Sequence, residues 1–249
     1  MVAIGSIALF LGFLALVGGV VSRVRAGRIA NTPFATTGDI ASKGATVAGE
    51  KGAISTQGRV LAQQLATSPV SGTQCLYYDV VVTARWKAGD SEQTLRVSEE
   101  KVAAPFALDD GSGAIRIDAS KGGDFETKTT FQKKQSRGLM SAFTGKPLSF
   151  GDRGFTIPQG IRVGMTVVPD HAEFEVVERC LPAAERLYAN GKLDNGTIGS
   201  PNWTALVLSN KTRDELLAGT AQMAKMLLIG GAATSAAGAL VAAIGAMMG

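Results

Sequence analysis

Two long uncharged runs bracket a middle section in which apolar and polar positions alternate. Val2 to Val21 and Met226 to Met248 carry no ionisable side chain, and each meets the roughly 20 apolar residues needed to cross a hydrocarbon core of about 30 Å. Arg23, Arg25 and Arg28 follow the first run rather than precede it, and no convincing small-x-small cleavage site comes after. That order predicts a retained transmembrane helix, with a cleaved signal peptide as the alternative. Thr212-Arg-Asp-Glu215 has the spacing of a capping box, so a helix is expected to start there and continue into the second run. A second membrane span is the favoured reading of that run, and a buried Ala-rich core helix is the alternative.

The section between reads as strands. Gln57–Leu65, residues 75–86, Thr94–Val102, Ala114–Asp118, Phe125–Gln132, residues 164–169, Glu173–Cys180, Glu185–Lys192 and Thr204–Leu208 are separated by Pro, Gly and Asn. In 75–86 the period of two puts Tyr78, Val80, Val82 and Ala84 on one face, closed by Trp86, and predicts an exposed Arg85 on the other. Asp109-Asp-Gly-Ser-Gly113 supplies the residues that a hairpin turn demands. The chain therefore divides into a transmembrane helix (1–22), a juxtamembrane connector (23–56), a β-rich domain (57–211) and an amphipathic-to-transmembrane helix (212–249). The fold class is mainly β, a barrel- or sandwich-like domain flanked by two transmembrane helices.

Two further patterns bear on contacts. Gly5, Gly12 and Gly19 recur every seven residues in the first run, and Gly231, Gly238 and Gly245 do so in the second. Such spacing keeps small residues on one helix face, where backbones approach closely in lipid. The stripes are candidates for packing the two spans as an antiparallel pair, or for homo-oligomer formation. Residues 133–153 show no strand or helix period. Lys133, Lys134, Arg137, Lys146 and Arg153 there surround Leu139, Met140 and Phe143. This stretch is either a flexible insert or a contact with a membrane surface or partner.

Ser68-Pro-Val-Ser-Gly72, Cys75-Leu-Tyr-Tyr78, Trp86 and Pro105-Phe-Ala-Leu-Asp-Asp-Gly-Ser-Gly113 together resemble the GIDE domain, also called BAM ("beside a membrane"). That domain is known from mitochondrial and chloroplast membrane-anchored RING ubiquitin ligases and from prokaryotic relatives. The resemblance spans roughly residues 30 to 215, with its best-matched core at 57–118. It implies a domain held next to a bilayer and a link to ubiquitin transfer, and it identifies the domain more strongly than any activity.

Composition narrows the chemistry. Two cysteines and one histidine are present among 249 residues, whereas a RING requires eight Cys/His ligands around two zinc ions. No metal, cofactor or catalytic site is expected. His171 sits in a turn, Cys75 and Cys180 read as small buried hydrophobes with a disulfide between them open only on an oxidising side, and no Walker loop, HExxH or GxSxG occurs. Asp109 and Asp110 lack the further oxygen ligands of a calcium loop. A net charge of +4 suits an anionic membrane surface as readily as nucleic acid. The expected partners are the lipid bilayer and a protein, with nucleic acid not expected. A membrane-tethered interaction or sensing module is favoured over a ubiquitin-transferase component acting with a partner, and over an OB-like nucleic-acid binder. Basic residues beside both spans place the middle of the chain in the cytoplasm, in a prokaryotic inner membrane, with both termini outside.

Overall fold

The computed structural model describes residues 2–136, 146–200 and 205–247. They divide into two compact units, Met1–Phe34 with Lys211–Gly249, and Ala35–Asn210.

The first unit is a pair of long helices, α1 (Val2–Asn31) and α3 (Arg213–Met247); α2 (Thr37–Lys43) belongs to the second unit. Both long helices have the length and composition to cross a membrane. α3 starts at the expected capping box. Thr212 N donates to Glu215 Oε2 at 2.7 Å, and Glu215 N donates to Thr212 Oγ1 at 3.2 Å, which satisfies two otherwise orphaned donors reciprocally. The helices pack antiparallel with backbones almost in contact. A Cβ on Gly12 would lie 2.6 Å from Ser235 N, and one on Gly231 would lie 2.9 Å from Gly12 O. Only hydrogen fits at either position. At the far end of the pair, Arg213 donates to the carbonyl of Ala30 at 2.8 Å and tops the Phe34 ring at 5.8 Å.

The second unit holds two larger sheets. Their strands are β1 (Ala53–Ala62), β2 (Tyr77–Ala88), β3 (Ser91–Ala103), β4 (Phe106–Asp109), β5 (Ala114–Asp118), β6 (Gly123–Phe125), β7 (Lys128–Ser136), β8 (Glu173–Leu181), β9 (Arg186–Asp194), β10 (Thr197–Gly199) and β11 (Leu206–Ser209). Five of them close a barrel in the order β1-β4-β5-β10-β9 and back to β1, with β11 and β6 extending the sheet beyond β9. Within the ring only β5 and β10 run parallel. The order and the single parallel seam are those of an OB-type Greek-key barrel. Its interior is filled by Ile54, Leu108, Ile115, Leu187, Ile198 and Leu206. β9 is buried on both faces, Leu187, Tyr188, Ala189 and Asn190 all lying inside, because it pairs with β1, β10 and β11 at once.

The second sheet, β3-β2-β8-β7, is built from two insertions into the barrel. The β2–β3 hairpin lies between the first and second barrel strands in sequence, and β7 and β8 lie between the third and fourth. The two insertions pair with each other along β2 and β8. Adjacent side chains of β2 serve different cores. Tyr77 enters the barrel core, while Tyr78, Val80, Val82 and Ala84 enter a second core with Phe150, Phe174 and Val176. The strand alternation read from the sequence is the one observed.

Three expectations need correction. Residues 23–56 are not a connector: α1 continues to Asn31, and α2, capped by Thr36 Oγ1 on Asp39 N at 3.1 Å, buries Ile40 in the barrel core. Residues 133–153 are not an unstructured insert in their described parts. Lys133 and Lys134 belong to β7, and Leu148–Phe150 pairs with Phe155–Ile157 as a ribbon that buries Leu148, Phe150 and Ile157. Arg85 is half-buried rather than exposed, because Glu175 pairs with it at 3.1 Å.

Candidate functional site

The Ser68–Thr73 turn is wound tightly on itself. Ser68 N donates to Thr73 O at 2.9 Å, Gly72 N to Ser68 O at 3.2 Å, and Thr73 N to Ser68 Oγ at 3.0 Å. Gly72 takes φ +74°, a conformation open to glycine at little cost, and a Cβ there would meet Arg153 Nε at 2.6 Å.

Beneath this turn lies Glu178 of β8, with no exposed surface. Its carboxylate accepts Val70 N at 2.9 Å, Ser71 N at 3.3 Å, Thr130 Oγ1 at 2.7 Å, and the Ser71 hydroxyl. Burial alone would raise its pKa and is the largest single influence. The Ser71 and Thr130 hydroxyls and the Val70 and Ser71 amides together outweigh it, and the group is held below the ordinary carboxylate value. Glu178 thus ties the turn, β7 and β8 together. Both oxygens are committed to protein donors, so the group is a latch and not a catalytic base.

Cys180 follows on the same face, its Sγ 3.4 Å from Thr130 Oγ1, and the Cys75 thiol donates to Ala66 O at 3.6 Å. Both cysteines are buried and unbridged. Hydrogen bonding to Cys180, and then burial, push the Cys75 thiol up.

A groove of about 510 Å³ opens on the barrel across β4 and β5, lined by Leu61, Pro105, Phe106, Ala107, Arg116 and Asp118 among others. The alternation of β5 explains its chemistry: Ile115 and Ile117 point into the barrel, and Arg116 and Asp118 point out. Asp118 accepts Ser120 N at 3.0 Å and Ser120 Oγ at 2.6 Å, and the Ser120 side-chain bond is the main reason its pKa is lowered. The groove therefore offers an apolar floor with one fixed anion and one cation at its wall. Phe106 is the only aromatic in its lining and is 5% exposed, so no ring is presented for stacking.

Of the basic stretch singled out by sequence, Lys133 and Lys134 are exposed on opposite faces of β7, opposite Val176 and Glu175 respectively. Lys146 is exposed, and Arg137, Leu139, Met140 and Phe143 lie outside the described residues. Among the described residues, Lys133 and Lys134 therefore do not share one face of the strand. Gly12, Gly19, Gly231 and Gly238 are buried in the helix pair, and Gly5 and Gly245 lie in the same two helices. His171 is exposed in its turn, and among the described residues no group of three His, Cys, Asp or Glu converges on a point suited to a metal ion. Glu178 was missed by the sequence reading. The available signal was its phase, since Phe174, Val176, Glu178 and Cys180 share one face of a strand.

A family model named GIDE and described as "E3 Ubiquitin ligase" matches residues 82–243. No curated protein and no solved structure matches the chain.

Proposed function

The chain belongs to the GIDE family, and from that premise we propose that it is a membrane-tethered interaction module. In this reading α1 and α3 are the anchor, and the barrel groove over β4 and β5 is the contact surface for a protein partner. The groove carries the proposal: it offers about 510 Å³ over an apolar floor, and Arg116 and Asp118 stand at its wall to orient a peptide segment.

The family description supports a role near ubiquitin transfer. Three potential soft zinc ligands, Cys75, His171 and Cys180, fall far short of a RING within these 249 residues. In this reading a transfer step is carried out by a partner. The OB-type topology favours nucleic acid as a second reading, but stacking aromatics are missing from the groove, which weighs against single-strand binding. In this reading the β unit faces the cytoplasm, which the basic residues at the ends of both uncharged runs support.

A photo-crosslinking side chain at Ala107 tests this reading in cells. It should give a discrete protein adduct that Arg116→Glu removes and that the same probe at Lys87 does not form. Identical adducts from both positions would discard the groove. Ubiquitin conjugates formed by the purified chain with upstream enzymes alone would discard the non-enzyme reading.

A further inference from the structure

The helix pair contains a cavity of about 350 Å³ that its packing does not fill. Ala26 on α1 and Ala221 and Ala224 on α3 leave the space, Leu228 and Ile229 line its lower part, and Arg23 and Lys225 reach it from facing helices. These two cations are like charges converging on one void. No carboxylate among the described residues pairs with either.

Their depth is informative. Arg23 comes two residues after the first uncharged run ends at Val21, and Lys225 immediately precedes the second, which begins at Met226. Two residues of helix rise about 3 Å. In an antiparallel pair both cations therefore stand at one hydrocarbon boundary, and Leu228 and Ile229 lie about one turn inside it.

From this arrangement we propose that the cavity binds the phosphate-bearing headgroup of an anionic phospholipid. The phosphate sits between Arg23 and Lys225, and the start of an acyl chain lies along Leu228 and Ile229. The guanidinium of Arg23 suits two phosphate oxygens at once, and Lys225 supplies a point charge. The three alanines admit the glycerol backbone. The site deepens the membrane-anchor reading and rests on it.

The test uses the full chain, extracted from membranes in mild detergent and examined by native mass spectrometry. The probes are phosphatidylglycerol and phosphatidylcholine at equal concentration. The wild type should retain phosphatidylglycerol preferentially, and Arg23→Gln with Lys225→Gln should reduce that retention by about tenfold. Ala221→Leu, which fills the cavity without altering charge, should reduce it comparably. Arg25→Gln with Arg28→Gln removes the same charge from residues outside the cavity lining and should retain wild-type binding. Equal retention by the wild type and the Arg23/Lys225 variant overturns the site, as does equal loss from the two charge pairs, which would mean general attraction to a basic helix. Alkaline carbonate extraction separates the two readings: release of the wild type from membranes defeats the anchor itself, whereas a retained protein without lipid preference defeats only the cavity.

Discussion

The buried carboxylate of Glu178 accepts the backbone N–H of Val70 at 2.9 Å, across 108 residues of chain. Glu178→Gln keeps the shape but turns an amide group toward amide and hydroxyl donors. Leaving one or two buried donors unsatisfied costs about 1–3 kcal/mol. For a unit of this size that lowers Tm by roughly 3–10 °C, measurable by thermal denaturation of the β unit in the full chain.

The same residue gives a pH signature. Its folded-state pKa lies below the ordinary 4.5. The stability it contributes is therefore complete above the unfolded value and is lost as pH falls through the folded one. Between pH 6 and pH 3 the wild type should lose stability more steeply than Glu178→Gln. Parallel curves would show that the latch is not ionised.

Val80 lies opposite Glu178 on the buried face of β2 and is 1% exposed. Val80→Asp would place a second carboxylate beside the first with no donor to receive it. The cost is several kcal/mol, enough to unfold a domain of ordinary stability. A melting transition unchanged from the wild type would mean the strand register is wrong.

Asp110 fastens α2 to the β4–β5 turn, accepting Thr37 N at 3.1 Å and Thr37 Oγ1 at 2.7 Å. Burial pushes its pKa up, but hydrogen bonds from Ser112 and Thr37 prevail and hold it at about 2. Asp110→Ala should raise amide hydrogen exchange across Thr37–Lys43 by about tenfold and leave the barrel strands protected. Acidification of the wild type to below about pH 2 should release the same segment, because the lowered pKa makes the contact a property of the ionised form.

Neighbouring glycines of α3 should respond oppositely to a methyl group. A Cβ at Gly231 would meet Leu16 N and Gly12 O at 2.9 Å, while one at Gly230 meets nothing within 4 Å. Gly231→Ala should weaken the helix pair by about 1–3 kcal/mol through overpacking. Gly230→Ala should be neutral or slightly stabilising. Cysteine cross-linking between α1 and α3 in membranes reads the difference.

The parts of the fold that were legible in the sequence rest on local rules. The capping box at Thr212, the turn at 109–113 and the alternation of Tyr78, Val80 and Val82 each depend on residues close in the chain. Barrel closure was hidden for the opposite reason. β9 is buried on both faces, so it shows no alternation, and its partner β1 lies far upstream in sequence. The helix α2 falls inside the expected juxtamembrane connector, although Thr36 and Asp39 carry an N-cap spacing. In the 133–153 stretch the basic residues masked a hairpin signal, with Leu148 and Phe150 alternating before the Gly151-Asp-Arg-Gly154 turn. Neither the groove nor the Arg23–Lys225 cavity could be read, because each is assembled from separate segments whose meeting only tertiary packing decides.

The seam between β1 and β9, where Ala53 faces Lys192, also fixes an order of events during synthesis. While the nascent chain emerges, the β2–β3 hairpin can form by itself, being joined by a short turn at Gly89 and Asp90. β1 must wait with one edge unpaired until β9 leaves the ribosome. Non-local closure of this kind is slow, and an open strand edge invites pairing with other chains. Translation arrested before residue 186 would thus release a chain carrying a finished hairpin and an unprotected β1, a natural substrate for chaperones and proteases.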